Sequence, residues 1–382
     1  MLSHIICLFL DCLNFLYLDY LTLNNSNSNF MNYKHFYYCL LLMQLGCNSA
    51  TTKDPILADF SKTMQLKMEN SSIKSSDIGE IVDMLVIDSL LISDEIFSKK
   101  IFKLYNKRTG KLLSNFIDKG RGPNEMLFPR ILNYYNSDYF TLFDEDKREL
   151  IYFSLNEIRN KNYQFYCKKN VELTADESFA TKSYLLSDSM LLCTGFFANG
   201  QYALYNLNSK NTNFFLDYPY DENHKGESNR IKGTAFQGEI SIKPDRKKFA
   251  NATRRIFEIC EIQQTDIKRI FRKIYFFPEY KVIHNSAAFL STQPYGFHSI
   301  TSTDTYVYLI YSGRSMKEYG NEYYAGNNLL VYDWDGNPVV NFILDRYLKS
   351  FALDVKQMKI YGYCTNPISG EPEIVTYQLP QN

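Results

Sequence analysis

Leu330-Val331-Tyr332-Asp333-Trp334-Asp335-Gly336-Asn337 is an apolar run closed by an aromatic residue and followed by an acidic turn containing glycine. Such a run ahead of an Asp-Gly pair is the local pattern of a β-hairpin. The phrase has counterparts upstream in Lys103-Leu104-Tyr105-Asn106, Leu150-Ile151-Tyr152-Phe153, Ala203-Leu204-Tyr205-Asn206 and Phe257-Glu258-Ile259-Cys260, and downstream in Val375-Thr376-Tyr377-Gln378. Aligned on Tyr105, Tyr152, Tyr205, Cys260, Tyr332 and Tyr377, the copies lie 47, 53, 55, 72 and 45 residues apart. Six copies near the 40–50-residue period of propeller blades predict an all-β chain, a six-bladed β-propeller with four-stranded antiparallel blades. The long interval calls for an insertion within Phe277 to Asn328. The stretch Phe60 to Met68 is a spare strand that completes the last blade and closes the ring.

The rest of the body agrees. Val82 to Ile87, Tyr139 to Phe143 and Tyr306 to Tyr311 are short, rich in β-branched and aromatic residues, and bounded by Asn, Asp, Gly and Ser. Asp266 to Phe276 is the nearest thing to a helical pattern and reads equally well as a strand. The chain has 31 Tyr and 28 Phe but one Trp. Flat aromatic side chains fill the wedges between blades, so this excess needs no ligand to explain it.

Composition removes several classes of function. At 382 residues, 45% hydrophobic and 22% charged, the chain is too large for a disulfide miniprotein and too apolar for a disordered one. Its 42 Lys+Arg balance 42 Asp+Glu. Nucleic acid is therefore excluded as an expected partner, because a dedicated binder carries a strong positive field.

Two apolar stretches precede the body. Met1 to Leu23 contains Asp11 and Asp19, each costing about 3 kcal/mol at a bilayer centre, which argues against a spanning helix. The second begins at Met31, passes Lys34 and His35, runs apolar from Phe36 to Leu45 and ends at Gly46-Cys47. A basic start, an apolar run of about ten residues and a small residue before cysteine resemble a bacterial lipoprotein signal, whose cysteine is lipidated after cleavage. Gln44 and Leu45 depart from the usual residues at their positions. The alternative is an ordinary secretory signal with an incidental Cys47. The expected division is an upstream extension plus signal peptide over 1–46, with Met31 as the true start, a tether over 47–59 and the propeller over 60–382. Beyond the leader only Cys167, Cys193, Cys260 and Cys364 remain, widely spaced and without a CxxC pair. They read as buried small apolar residues rather than a zinc site or disulfide frame.

Two phrases carry a family resemblance. One is Asp118-Lys119-Gly120-Arg121-Gly122-Pro123-Asn124-Glu125; the other is the Val331 to Pro338 turn. With a lipoprotein-like signal in front, the chain resembles the TolB-like six-bladed propeller lipoproteins of gut anaerobic Gram-negative bacteria. The resemblance spans roughly residues 60 to 380 and is poor from Asn223 to Phe276. It implies an envelope location, lipid-anchored at the outer membrane and facing either the periplasm or the outside. It also implies a binding or sensing role, with no catalytic residue and no cofactor. The implied partners are the membrane, through the lipid, and a glycan, a peptide or an envelope protein.

Within these phrases Arg121, Glu125 and Trp334 are the candidate ligand-contacting residues. Gly120 to Glu125 lacks the third glycine of a dinucleotide fingerprint and the Gly-Lys-Ser/Thr ending of a P-loop. It either carries Arg121 and Glu125 towards the channel or is a rigid turn whose charges tie two blades, and the turn is preferred. Asp333 to Asn337 fits a hairpin turn better than a calcium loop, since Leu344 occupies the position that needs glutamate. Trp334 at that turn either stacks on a ligand or packs between blades. The basic run from Lys243 to Lys273 reads first as solvated faces and a turn. His224, His284 and His298 show no metal spacing, so no metal site is expected. The function expected is a binding or scaffold module. The alternatives are a propeller enzyme acting on glycans, with charged residues converging in the channel, and a sensor accessory to nutrient uptake.

Overall fold

The computed structural model describes residues 54–95, 97–134, 138–161, 167–171, 179–219 and 221–380. The expected signal, Met31 and Cys47 lie outside these residues. Among the described residues no helix is long and apolar enough to cross a membrane.

A single helical turn, α1 (Pro55–Ala58), opens the described chain, with Asp54 accepting from the Ile56 N–H as its cap. Two short strands follow, β1 (Thr63–Leu66) and β2 (Glu69–Asn70). The first blade is β3 (Asp83–Ile87), β4 (Leu90–Asp94), β5 (Lys100–Asn106) and β6 (Leu112–Asp118). The second is β7 (Pro129–Tyr134), β8 (Tyr139–Asp144), β9 (Glu149–Ser154) and β10 (Cys167–Asn170), with α2 (Leu155–Arg159) after its third strand. The third is β11 (Phe179–Ser187), β12 (Met190–Phe196), β13 (Tyr202–Asn206) and β14 (Thr212–Phe215). An insertion bearing α3 (Asn229–Ala235) leads to the fourth blade, β15 (Glu239–Ile242), β16 (Lys248–Thr253), β17 (Ile256–Ile262) and β18 (Ile267–Ile274). A separate hairpin, β19 (Tyr280–Ile283) and β20 (Ser286–Phe289), comes next.

The fifth and sixth blades share one sheet. The fifth consists of β21 (Phe297–Ser302), β22 (Tyr306–Tyr311), β23 (Gly326–Asp333) and the first half of β24 (Pro338–Asp354), with α4 (Met316–Tyr319) between β22 and β23. β24 then becomes the innermost strand of the sixth blade, followed by β25 (Lys359–Thr365) and β26 (Pro372–Gln378). The outermost strand of that blade is β2, antiparallel to β26, while β1 adds in parallel to the outer edge of the fifth.

All six aligned positions, Tyr105 through Tyr377, fall on the third strand of successive blades and are buried. The turn after that strand recurs too. Asn106, Asn206 and Asp333 each accept from two backbone N–H groups beyond them, an Asx turn. Gly110, Lys210 and Gly336 follow at positive φ. At Gly336 a Cβ would also meet the Phe271 ring, so glycine is needed there twice over. The long interval holds two insertions, β19–β20 and the loop around α4.

Closure differs in register from expectation. Residues 69–70, just past the anticipated stretch, complete the last blade, and residues 63–66 extend the fifth. The folded unit also begins at Asp54, inside the expected tether. Ile56 and Phe60 are buried among Phe257, Tyr311 and Tyr332, and the Tyr311 hydroxyl donates to Asp54 at 2.5 Å. Apolar burial thus recruits the segment that composition alone marks as linker.

Aromatic pairs do fill the wedges: Phe116–Phe153 between the first two blades, Tyr202–Phe249 between the third and fourth, and Phe257–Tyr332 between the fourth and fifth. Cys193, Cys260 and Cys364 are buried and free, while the Cys167 side chain lies outside those described. Phe60 meets Tyr332 edge to face at 5.1 Å. Phe60→Ala is expected to cost about 3 kcal/mol in urea unfolding, because it opens a cavity where the N-terminal segment grips the ring. A loss below about 1 kcal/mol would show that this segment does not hold the ring shut.

Candidate functional site

Each innermost strand enters the ring at the same end, and there each carries a hydrogen-bonding or charged side chain: Asp83, Arg130, Lys182, Glu239, His298 and Lys349. Five of these line an axial cavity of about 690 Å³ walled by all six innermost strands. Further along, Ile87, Leu132, Ile242 and Leu353 stand in the wall, and charge returns at the far end with Asp88, Arg246, Asp354 and Lys356.

The charges at this entrance are coupled. Lys182 Nζ contacts Glu239 Oε2 at 2.5 Å, and Arg130 Nε lies 3.7 Å from Glu145 Oε1. His298 Nε2 donates to the Lys349 carbonyl, and Lys349 Nζ is 2.8 Å from Glu322 Oε1. Burial pushes Asp83 up to about 7, helped by the charge of Glu239, against its hydrogen bond from Met84 and the charges of Lys182 and Arg130. Asp83 and Glu239 belong to the first and fourth blades, opposite one another in a ring of six, so their fields meet across the axis. Burial also raises the Glu239 carboxyl, but Lys182, Arg130 and His298 outweigh it and leave Glu239 below its ordinary range. Burial lowers His298, which stays neutral near pH 7. Behind Asp83, its strand partner Asp94 is fully buried with both oxygens unpartnered. Burial and then the Asp83 charge push it well up, so it sits there as the neutral acid.

Beside this entrance lies a second cavity of about 480 Å³, sharing Arg130, Lys182, Glu239 and Tyr295 with the first. Its inner wall is braced by Glu258 of the fourth blade. One Glu258 oxygen accepts from Gln201, Tyr202 and Asn251; the other accepts from Arg269 and Arg272, each at 2.8 Å. Burial would raise this carboxyl, but Arg272 and Arg269 hold it below its usual range. Each oxygen is fully engaged, so the group is structural. Among the described residues no cluster of three or more His, Cys, Asp or Glu could hold a metal ion.

Arg121, Glu125 and Trp334, the candidate ligand-contacting residues, line neither cavity. Arg121 is exposed and makes a bidentate pair with Asp146 at 2.9 and 3.0 Å. Glu125 folds back over Gly120 and Gly122 and accepts from the Gly122 N–H at 2.7 Å. Lys147 donates to the Gly122 and Glu125 carbonyls, so the loop is stitched to the β8–β9 turn of the second blade. Trp334 is buried between blades and donates to the Thr303 carbonyl at 2.9 Å. In the basic run, Arg269 and Arg272 pair with Glu258, Lys243 with Asp245 and Lys273 with Asp59. His298 belongs to the channel, whereas His224 stacks on Tyr280 and bonds Asp221. The missed signal was positional: a charged residue or histidine within the first few residues of five innermost strands, with Lys349 deeper inside β24 as the sixth.

Six four-stranded blades around a polar-mouthed axis, the last two in one continuous sheet, define a six-bladed propeller. The chain belongs to the TolB-like 6-blade propeller-like family, whose pattern matches residues 59–356. Two solved structures share the fold. One is a Bacteroides fragilis protein named, provisionally, as exported; it is 11% identical at a TM-score of 0.51, over 83% of this chain and 95% of that one. The other is a member of the DUF4221 family from Bacteroides vulgatus, 10% identical at a TM-score of 0.54, over 83% and 95% respectively. A comparison with curated proteins found no match.

The raised Asp83 makes a signed prediction for stability. Between its ordinary value of 3.8 and about 7, the folded state holds the Asp83 proton that the unfolded chain releases. Stability therefore falls as pH rises through that window. Asp83→Asn is expected to melt higher than wild type above pH 7, by about 2 kcal/mol after screening in the half-open channel, and to converge with it below pH 4. Parallel melting curves at pH 4 and pH 8 would refute this.

Proposed function

We propose that the protein is a cell-envelope binding module that takes a small polar ligand in the axial cavity. The observation that carries this reading is the entrance itself, where six blades converge acids, bases and a neutral histidine of nearly balanced charge. Such a mouth suits a ligand with both donors and acceptors, a saccharide or a short peptide, better than a polyanion. Ile87, Leu132, Ile242 and Leu353 beyond it give the ligand's body apolar contact. Calorimetric titration of the full chain against a panel of oligosaccharides and dipeptides is expected to yield a ligand whose affinity falls about tenfold or more in Lys182→Met and Asp83→Asn. No ligand in the panel, or one indifferent to both substitutions, overturns the reading.

A second reading rests on the opposed shifts of Asp83 and Glu239. Two carboxyls with pKa values driven apart across a cavity are the arrangement of a general acid and base. On this reading the same saccharides are cleaved rather than retained, with a bell-shaped pH profile that loses one limb in Asp83→Asn.

The envelope location is supported by the sequence from Met31 to Cys47 and by family membership. On this proposal Cys47 carries the lipid. Cys47→Ser should then move the protein from the membrane fraction to the soluble fraction of a Gram-negative host; retention in the membrane fraction would rule out that anchor.

A further inference from the structure

The second cavity is roofed by two insertions, one following the third blade and one the fourth, and they fold on each other. Ile231, Ala235 and Phe236 from the α3 segment share an apolar cluster with Tyr280 of β19. The Thr234 hydroxyl accepts from the Ala287 N–H of β20 at 2.8 Å. Beneath this roof the cavity is walled by the rings of Phe196, Tyr218, Phe236, Phe289, Tyr295 and Phe297. An enclosure this rich in aromatic surface favours a flat or ring-shaped apolar body.

One cation enters among these rings. Arg254 sits at the tip of the β16–β17 hairpin with φ +30°, a backbone region that non-glycine residues rarely adopt. Its guanidinium lies 3.3 Å from the Phe289 ring centre and 5.1 Å from that of Tyr295. Every other charged group on the cavity wall is matched: Lys182 by Glu239 and Arg130 by Glu145. Arg269 and Arg272, behind the wall, are matched by Glu258. Of the charged residues on this wall, Arg254 is the one with ring neighbours and no carboxylate partner among the described residues. Burial lowers its pKa, against the weaker opposing influence of Tyr295 and Tyr323. A half-buried guanidinium packed over a ring face keeps its N–H fork for an incoming anion. Backbone strain at that residue is consistent with a side chain held for use rather than for packing.

We infer that this side chamber binds a ring-bearing organic anion, its acid group on Arg254 and its body among the aromatic walls. The inference stands apart from the axial reading, because neither the anion fork nor the roof belongs to the axial cavity. The acid could come from an aromatic carboxylic acid or from an acidic sugar, and the test separates them. Anilinonaphthalene sulfonate is titrated into the full chain, and its fluorescence is competed with phenylacetate, phenylacetamide, galacturonate and galactose. At least one acid is expected to displace the dye about tenfold better than its neutral counterpart, phenylacetate pointing to an aromatic acid and galacturonate to a sugar. In Arg254→Met, which keeps the apolar stem, that preference should vanish. Should Arg254→Met fail to fold, Arg254→Lys decides, because it keeps the charge without the fork and should lose part of the preference. No saturable dye binding, equal displacement by acid and neutral partner, or a preference unchanged in either folded variant overturns the inference.

Discussion

The structure depends on a non-covalent clasp. A propeller gains its inter-blade packing only when the ring is complete, and here the ends are joined by a two-residue strand, β2 against β26. So short a ladder needs support from side chains. Lys359 pairs with Glu69 at 2.7 Å, the Thr376 hydroxyl donates to the Glu69 carbonyl, and the Met68 N–H donates to Asp345. Across the same seam Lys107 pairs with Asp354, and Lys356 with Asp88 at 2.9 Å. β1 and the buried Ile56 and Phe60 extend the grip to the fifth blade. Burying those apolar groups supplies what two strand residues cannot.

The polar entrance exists only inside that closed ring. Asp83 and Glu239 are separated by more than 150 residues of chain, yet the charge of Glu239 helps to raise Asp83 because opposite blades face a common axis. Burial sets the direction of the Asp83 shift, whereas at Glu239 the neighbouring cations overcome it. The same economy appears at Glu258, where one carboxylate organises five side chains between two blades. One set of charges is saturated and rigid; the other leaves Asp94 and Arg130 Nε unsatisfied. That contrast separates framework from site.

The blades were legible because a repeated strand must bury the same position each time. Tyr105, Tyr152, Tyr205, Cys260, Tyr332 and Tyr377 share one structural place, so they share one kind of side chain. The identity of the closing strand was legible only to within a few residues, since alternation along a strand does not say which sheet edge it meets. The axial residues were hidden for a different reason. Each is an ordinary polar residue, five near the start of a strand and Lys349 inside β24, and only closure brings them together. Arg254 and its aromatic chamber lie where the repeat and the family phrases give out. Their contacts cross between insertions, and a local pattern carries no trace of them.

β24 runs without a loop from the rim of the fifth blade at Pro338 to the channel wall at Leu353, although its pairing register shifts between Leu348 and Ser350. Elsewhere a connecting loop separates rim from axis and can absorb displacement. Along β24 there is no slack. A tug on the outer edge of the fifth blade travels down an extended backbone to the lining of the pore, which makes this one spoke of the wheel a taut cable.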